Sequence, residues 1–303
     1  MKRNHLILAS LLLIAPLAGC SDAQAKLNDS KTVLFSVGKE SVTKGQLYSL
    51  MNATVGASTA IADANKAICA KEIKVTDDMK TSSQSTLDNY KTMYGDSFTE
   101  YLDSAGMNEE DYMNDQLIPS LQAEKLTSKY IEENWKSVKK LYKPVKATIL
   151  EFTSDDDAKA ALSELNDGSA SATDAAANHN SSSSGSSEIY TIESSDVDSM
   201  VRTVLTSMKP DDGWKEVPAS SGGNYYLVHV DDNDADNFKD EATDTLSSID
   251  QVSKDSTTYF FKKYNFHVYD KTIYDALASD YPDYLVQDMN ASASPSASAD
   301  SSN

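Results

Sequence analysis

Hydrophobic and polar positions alternate along this chain in three rhythms. After Lys2 and Arg3, the apolar run Leu6 to Leu17 is too short to be a stable membrane-spanning helix and has the arrangement of a secretory signal peptide. A polar stretch follows, then Val33 to Gly38, a short strand that ends in a turn. Thr43 and Gln46 are spaced as the two ends of a capping box, so a helix enters there. From about Thr76 the period is helical: Leu87, Tyr90, Met93 and Tyr94 share a face, and Gly95 ends the helix. A short helix with Phe98, Tyr101 and Leu102 stops before Gly106. The next starts at Asn108, with Glu109, Glu110 and Asp111 in its first turn, and runs towards Trp135 with a kink expected at Pro119.

The rhythm changes at Lys143-Pro144. Val145 to Phe152 reads as a strand, and Ser154 caps a helix that closes near Gly168. Residues 166–187 are almost all Ser, Ala, Asn, Asp and Gly, a composition that buries too little apolar area to offset ordering, so a mobile loop is expected. Strand Glu188 to Ile192, a helix around Asp196 to Met208 and strand Tyr225 to Val230 complete a small α+β pattern. Phe238, Ala242, Leu246 and Ile249 then mark a long helix. Phe266-His267-Val268 reads as a short strand, and the Ser/Ala tail from 290 to 303 as disordered.

Composition narrows the function. The 303 residues carry 27 basic against 47 acidic side chains, a net charge of −20, which opposes binding to nucleic acid or bare anionic lipid and favours cationic clients. Of the two cysteines, Cys69 sits in a helix-like apolar context and reads as a small buried residue. His5, His179, His229 and His267 are not paired at ligand spacing. Asp231 to Asp236 lacks the glycine and terminal glutamate of an EF-hand loop, so a solvated acidic turn is expected, with His179 and His229 solvated and no metal and no cofactor.

Leu17-Ala18-Gly19-Cys20 resembles the lipobox of bacterial lipoproteins, which implies a signal peptide over 1–19, diacylation of Cys20 and a tether over 20–32. The alternative is an ordinary signal peptide with a stray cysteine. Residues 37–47, 90–102 and Gly106-Met107-Asn108-Glu109-Glu110, with a domain of parvulin layout before a returning C-terminal helix, resemble the PrsA family of foldase lipoproteins, relatives of SurA. That resemblance implies an α+β protein. A mainly helical chaperone lobe would be built from 33–143 and 233–289, with a parvulin-like domain inserted over 144–232.

Family parvulins catalyse peptidyl-prolyl isomerisation with one histidine in an Ala-x-His-Ile-Leu-like strand and another in a Gly-Tyr-His-Ile-Ile-like strand. The resemblance puts Thr148 and Tyr226 at those positions, and Val201 and Met208 in the pocket helix and its following turn. Without the histidines, the glycine pair and the pocket phenylalanines, the domain is expected to have kept its fold and lost its chemistry. Tyr90, Met93, Tyr94, Phe98, Tyr101, Tyr112 and Met113 then become the client-binding candidates, through adaptable aromatic and thioether side chains, or else simply the core between helices. Unfolded secreted proteins, and the membrane through Cys20, are the implied partners, with no nucleic acid. A homodimer is compatible. The rival readings are an active isomerase with an atypical pocket and a solute-binding or surface lipoprotein.

Overall fold

The computed structural model describes residues 25–287; the signal run, Cys20 and the Ser/Ala tail lie outside the described residues. The chain divides into two compact units, one of residues up to 61 together with those from 265, the other of residues 62–264.

In the first unit, β1 (Val33–Val37) and β2 (Glu40–Thr43) form an antiparallel hairpin. Thr43 caps α1 (Lys44–Met51), and Gln46 returns the bond to the Thr43 N–H at 2.8 Å, the reciprocal box expected from the spacing. A π-helical stretch, Asn52–Gly56, leads into α2 (Ala57–Glu72). Gly56 is needed there, because a Cβ at this position would stand 2.9 Å from Ile273 of α13 (Lys271–Asp280). Phe266-His267-Val268, expected as a strand, is irregular backbone; the Gln287 amide satisfies both the N–H and the C=O of Val268, at 2.6 and 2.9 Å.

The second unit holds α3 (Asp77–Tyr94), α4 (Asp96–Ala105), α5 (Glu109–Tyr112), α6 (Ile118–Glu133) and α7 (Trp135–Tyr142). Gly95, Gly106 and Asn108 act as the stops and cap read from the sequence. Pro119 has no N–H to donate one turn back; the chain accommodates it through a π-helical stretch, Met113–Leu117, immediately before α6. Cys69 is buried, and desolvation pushes its thiol up to about 11, so it stays protonated.

The sheet follows: β3 (Val145–Phe152), α8 (Asp155–Asp167), α9 (Ala172–Asn178), β4 (Ser187–Tyr190), α10 (Ser199–Leu205), β5 (Lys215–Pro218) and β6 (Tyr225–Asp232). Its order is β4-β3-β6-β5, antiparallel throughout. One face packs on α8 and α9 through Leu150, Phe152, Leu227, Ala158, Ala161 and Ala175. The other packs on α10 through Ala147, Ile149, Val228, Val230, Val201 and Leu205. Residues 166–187, expected as a mobile loop, instead contain α9, whose Ala175 and Ala176 are buried in the first of these cores. Ser171 caps that helix, and Ser182 N–H reaches the Glu151 carbonyl at 2.9 Å. β5 was not foreseen, because only Val217 in it is buried and Pro218 ends it at the sheet edge.

The expected long helix after Phe238 is two, α11 (Lys239–Ser247) and α12 (Asp250–Lys263), broken at Ser248-Ile249. They return to α6 and α7 in a core of Ile131, Val138, Tyr142, Leu246 and Val252. The protein is therefore mainly helical, with a small antiparallel α+β region.

Candidate functional site

The client-binding candidates separate in space. Gly95 and Gly106, both at positive φ, fold α4 back so that its apolar face meets α3 and α5. Tyr90, Tyr94, Phe98, Tyr101 and Tyr112 thereby line one cleft of about 330 Å³, with Ser97 at its edge. Phe98 is the buried centre. Tyr112 meets it edge-on at 5.3 Å between centroids, and Tyr101 stacks nearly parallel at 6.4 Å. Tyr94 and Tyr101 remain 54% and 50% exposed, so these rings are not simply core. Lys91 pairs with Glu109 at 2.8 Å and ties α3 to α5 beside them. Met93 is exposed and does not line the cleft. Met113 belongs to a separate groove of about 710 Å³ with Ile73, Ile118 and Pro119.

The four parvulin positions also separate. Val201, Met208 and Tyr226 lie on the α10 face of the sheet, the first two in its core and Tyr226 packed against them. Thr148 lies on the opposite face, because side chains alternate along β3 and its register partner is His229. The next residue of β3, Ile149, shares the face of Tyr226, because one step along a strand reverses the face.

On the α10 face the Tyr226 hydroxyl donates to Glu151 at 3.1 Å, and Asn224 Nδ2 and Ser182 Oγ donate to the same carboxylate. Desolvation, helped by the Glu151 charge, holds the Tyr226 phenol above its usual range, so it is neutral at physiological pH. Glu151 and Asn224 were not singled out from the sequence; their clustering depends on the β3–β6 register, which no local signal carries.

The opposite face holds a second polar group. The Asp231 carboxylate accepts from Thr148 Oγ1 at 3.0 Å, from Ser187 Oγ, and bonds His229 Nδ1 at 2.8 Å. Trp214 covers the His229 ring at 5.3 Å. His179, expected to be solvated in a mobile loop, instead ends α9 with its side chain 16% exposed, and Nε2 lies 3.1 Å from Glu164 Oε2, out of hydrogen-bond alignment. His267 lies against Tyr269. Among the described residues, no histidine stands on the α10 face beside Tyr226.

Residues 127–242 match the family model for the PPIC-type PPIASE domain. The foldase protein PrsA of Streptococcus mutans serotype c is 30% identical over 165 residues, covering 52% of this chain and 47% of the relative. The chain is therefore similar to a PrsA foldase, and residues 127–242 carry the similarity to the PPIC-type domain. Its match spans about half the length of that relative. Among solved structures, PrsA foldase from Streptococcus pneumoniae is 18% identical, with 84% of this chain and 100% of that one covered and a TM-score of 0.41. The Bacillus cereus peptidylprolyl isomerase PrsA is also 18% identical, covering 82% and 98%, with a TM-score of 0.45. No described helix is long and apolar enough to cross a membrane.

Proposed function

We propose that this protein is a membrane-anchored extracytoplasmic foldase that holds unfolded secreted proteins while they fold, and that its parvulin-like domain, over 144–232, is catalytically silent. The observation that carries the reading is the aromatic cleft of Tyr90, Tyr94, Phe98, Tyr101 and Tyr112, whose rings are paired with each other yet open to water. Such a surface gives extended apolar segments large contact area without fixed geometry, which suits many clients and weak, reversible holding.

Silence is supported by the α10 face. Rotation about an X-Pro bond faces a barrier of ~18–20 kcal/mol, and a catalyst must support the twisted amide with polar groups that are free to do so. Here the donors Tyr226, Asn224 and Ser182 are all committed to Glu151, and Ile149 brings only hydrocarbon. The Leu17-Ala18-Gly19-Cys20 sequence supports the anchor, since two or three acyl chains, at about 0.8 kcal/mol per buried CH₂, hold a soluble domain durably. Exposed Val33, Leu34, Phe35 and Val37 on the β1–β2 hairpin support a homodimer, and Phe35→Glu should then reduce the mass seen by light scattering to that of one chain.

The deciding experiment refolds a proline-limited secreted client with the protein present, recording aggregation and the slow refolding phase together. Suppressed aggregation with an unchanged slow phase is the expected result. Acceleration of the slow phase would show an active isomerase, and no effect on either would remove the foldase reading. Cys20→Ala should move the protein from the membrane fraction to the soluble fraction.

A further inference from the structure

In a chain of net charge −20, a cavity lined mainly by lysines among its charged residues runs against the overall balance. A cavity of about 490 Å³ is lined by Lys136, Lys139, Lys140, Lys143 and Lys209, with Asp234 as the acidic residue of the lining. The lysines come from α7, from the turn after it and from the segment that follows α10, so three stretches of chain converge on this site. Lys139 is paired with Asp236, and Lys146 of β3 is paired away with Glu241. Asp212 accepts from the Lys209 backbone N–H at 3.2 Å and pairs with Lys215. Among the described residues, no ion pair holds Lys136, Lys140, Lys143 or Lys209.

Helix electrostatics explain part of this arrangement. Lysines in the last turn of α7 complement its dipole, which accounts for Lys139 and Lys140. Lys136 is in the first turn, where a positive charge opposes the dipole, and Lys209 is on another segment. Lys143 occupies a left-handed position, φ 47°, where glycine would be usual. Local structure therefore does not require those three.

From this convergence we infer that the lysine cavity is a binding site for a phosphate-bearing anion. The lining has lysines and no arginine, which favours recognition of charge on a flexible ligand with several phosphates over bidentate capture of a single carboxylate. A volume of this size takes more than one phosphate group. The two sources of that chemistry are a soluble polyphosphate or phosphodiester chain and a lipid headgroup.

The test is calorimetric titration of the full chain at low salt with inorganic tripolyphosphate, and in a second arm with a short-chain cardiolipin, whose headgroup carries two phosphates, below its micelle concentration. Tripolyphosphate should bind, and its affinity should fall steeply with added salt. The pair Lys140→Glu and Lys209→Glu should weaken it by roughly tenfold or more, an order-of-magnitude expectation for two reversed charges. The neutral pair Lys140→Gln and Lys209→Gln should weaken it less, with an unchanged circular dichroism spectrum. Lys254→Glu, in a different part of the surface, should have no effect. Binding in the first arm alone assigns a soluble polyanion, and binding in the lipid arm assigns a headgroup. No binding in either arm, binding indifferent to the Lys140 and Lys209 changes, or equal weakening by Lys254→Glu would overturn the site.

Discussion

The aromatic cleft and the α10 face of the sheet are both apolar surfaces that carry tyrosine, and they end in opposite states. In the cleft, Tyr94 and Tyr101 contact other rings and leave about half their surface to water. On the sheet, the Tyr226 hydroxyl is bound to Glu151, and Val201, Leu205, Met208 and Val228 are buried beside it. The cleft therefore has apolar surface still to be covered, whereas the sheet face has already satisfied itself. The sheet domain can persist with its face closed in this way because α10 and β6 exclude water, which is what stability requires. Catalysis would need free polar groups at the same place.

The largest expected effect that bears on this contrast comes from Phe98→Ala. Phe98 is 7% exposed and is the ring on which Tyr90, Tyr101 and Tyr112 converge, so its removal should cost about 3–5 kcal/mol and collapse the cleft. Denaturant unfolding checks the loss, and client holding should disappear with it. A cost below about 1 kcal/mol would mean the ring cluster is not the centre of its helices.

Asp231→Ala comes next and tests the sheet from its other side. It leaves Thr148 Oγ1, Ser187 Oγ and His229 Nδ1 without their shared partner, and one partly buried unsatisfied group costs about 1–3 kcal/mol. The expected outcome is a lower urea midpoint with client protection retained. Loss of protection at unchanged stability would place part of the client surface on the α8 and α9 face.

How far these sites could be read from the sequence depends on the distance over which their determinants act. Thr43, Asn108 and Ser154 as caps, and Gly95, Gly106 and Gly168 as stops, follow from bonds made within three or four residues, and the structure has all six. The aromatic candidates were legible as a set because helical spacing puts Tyr90 and Tyr94 on one face, although only the fold separates Met93 and Met113 from the rest. Long-range pairing was not legible. Helix α9 exists because the sheet gives Ala175 and Ala176 somewhere to bury, which a window of Ser and Ala does not reveal. Thr148 and Ile149 are both β-branched residues that suit a strand, and only the register with β6 shows which one faces Tyr226.

Tyr226→Phe sharpens the sheet half of the comparison. The substitution removes one hydroxyl donor from Glu151 and leaves Asn224 and Ser182 in place, so stability should change by about 1 kcal/mol or less. The slow refolding phase of a proline-limited client should be the same with parent and variant. A slower phase with the variant would make the hydroxyl part of a working isomerase and remove the distinction drawn above.

The smallest effect on stability should accompany the most informative effect on function. Tyr94→Ser together with Tyr101→Ser changes two half-exposed rings, and surface substitutions of this kind usually stay within about 0.5 kcal/mol each. Phe98 and Tyr112 keep their edge-on contact at 5.3 Å, so the helices should stay packed. If the cleft holds clients through its exposed rings, aggregation protection should fall several-fold while the urea midpoint barely moves. Protection that survives would transfer the holding role to the groove of Ile73, Met113 and Ile118, the other apolar-lined depression on these helices described above. Because Phe98→Ala should lower folding and holding together whereas the tyrosine pair should lower holding alone, measuring both variants separates a surface kept open for partners from a core that happens to reach the solvent.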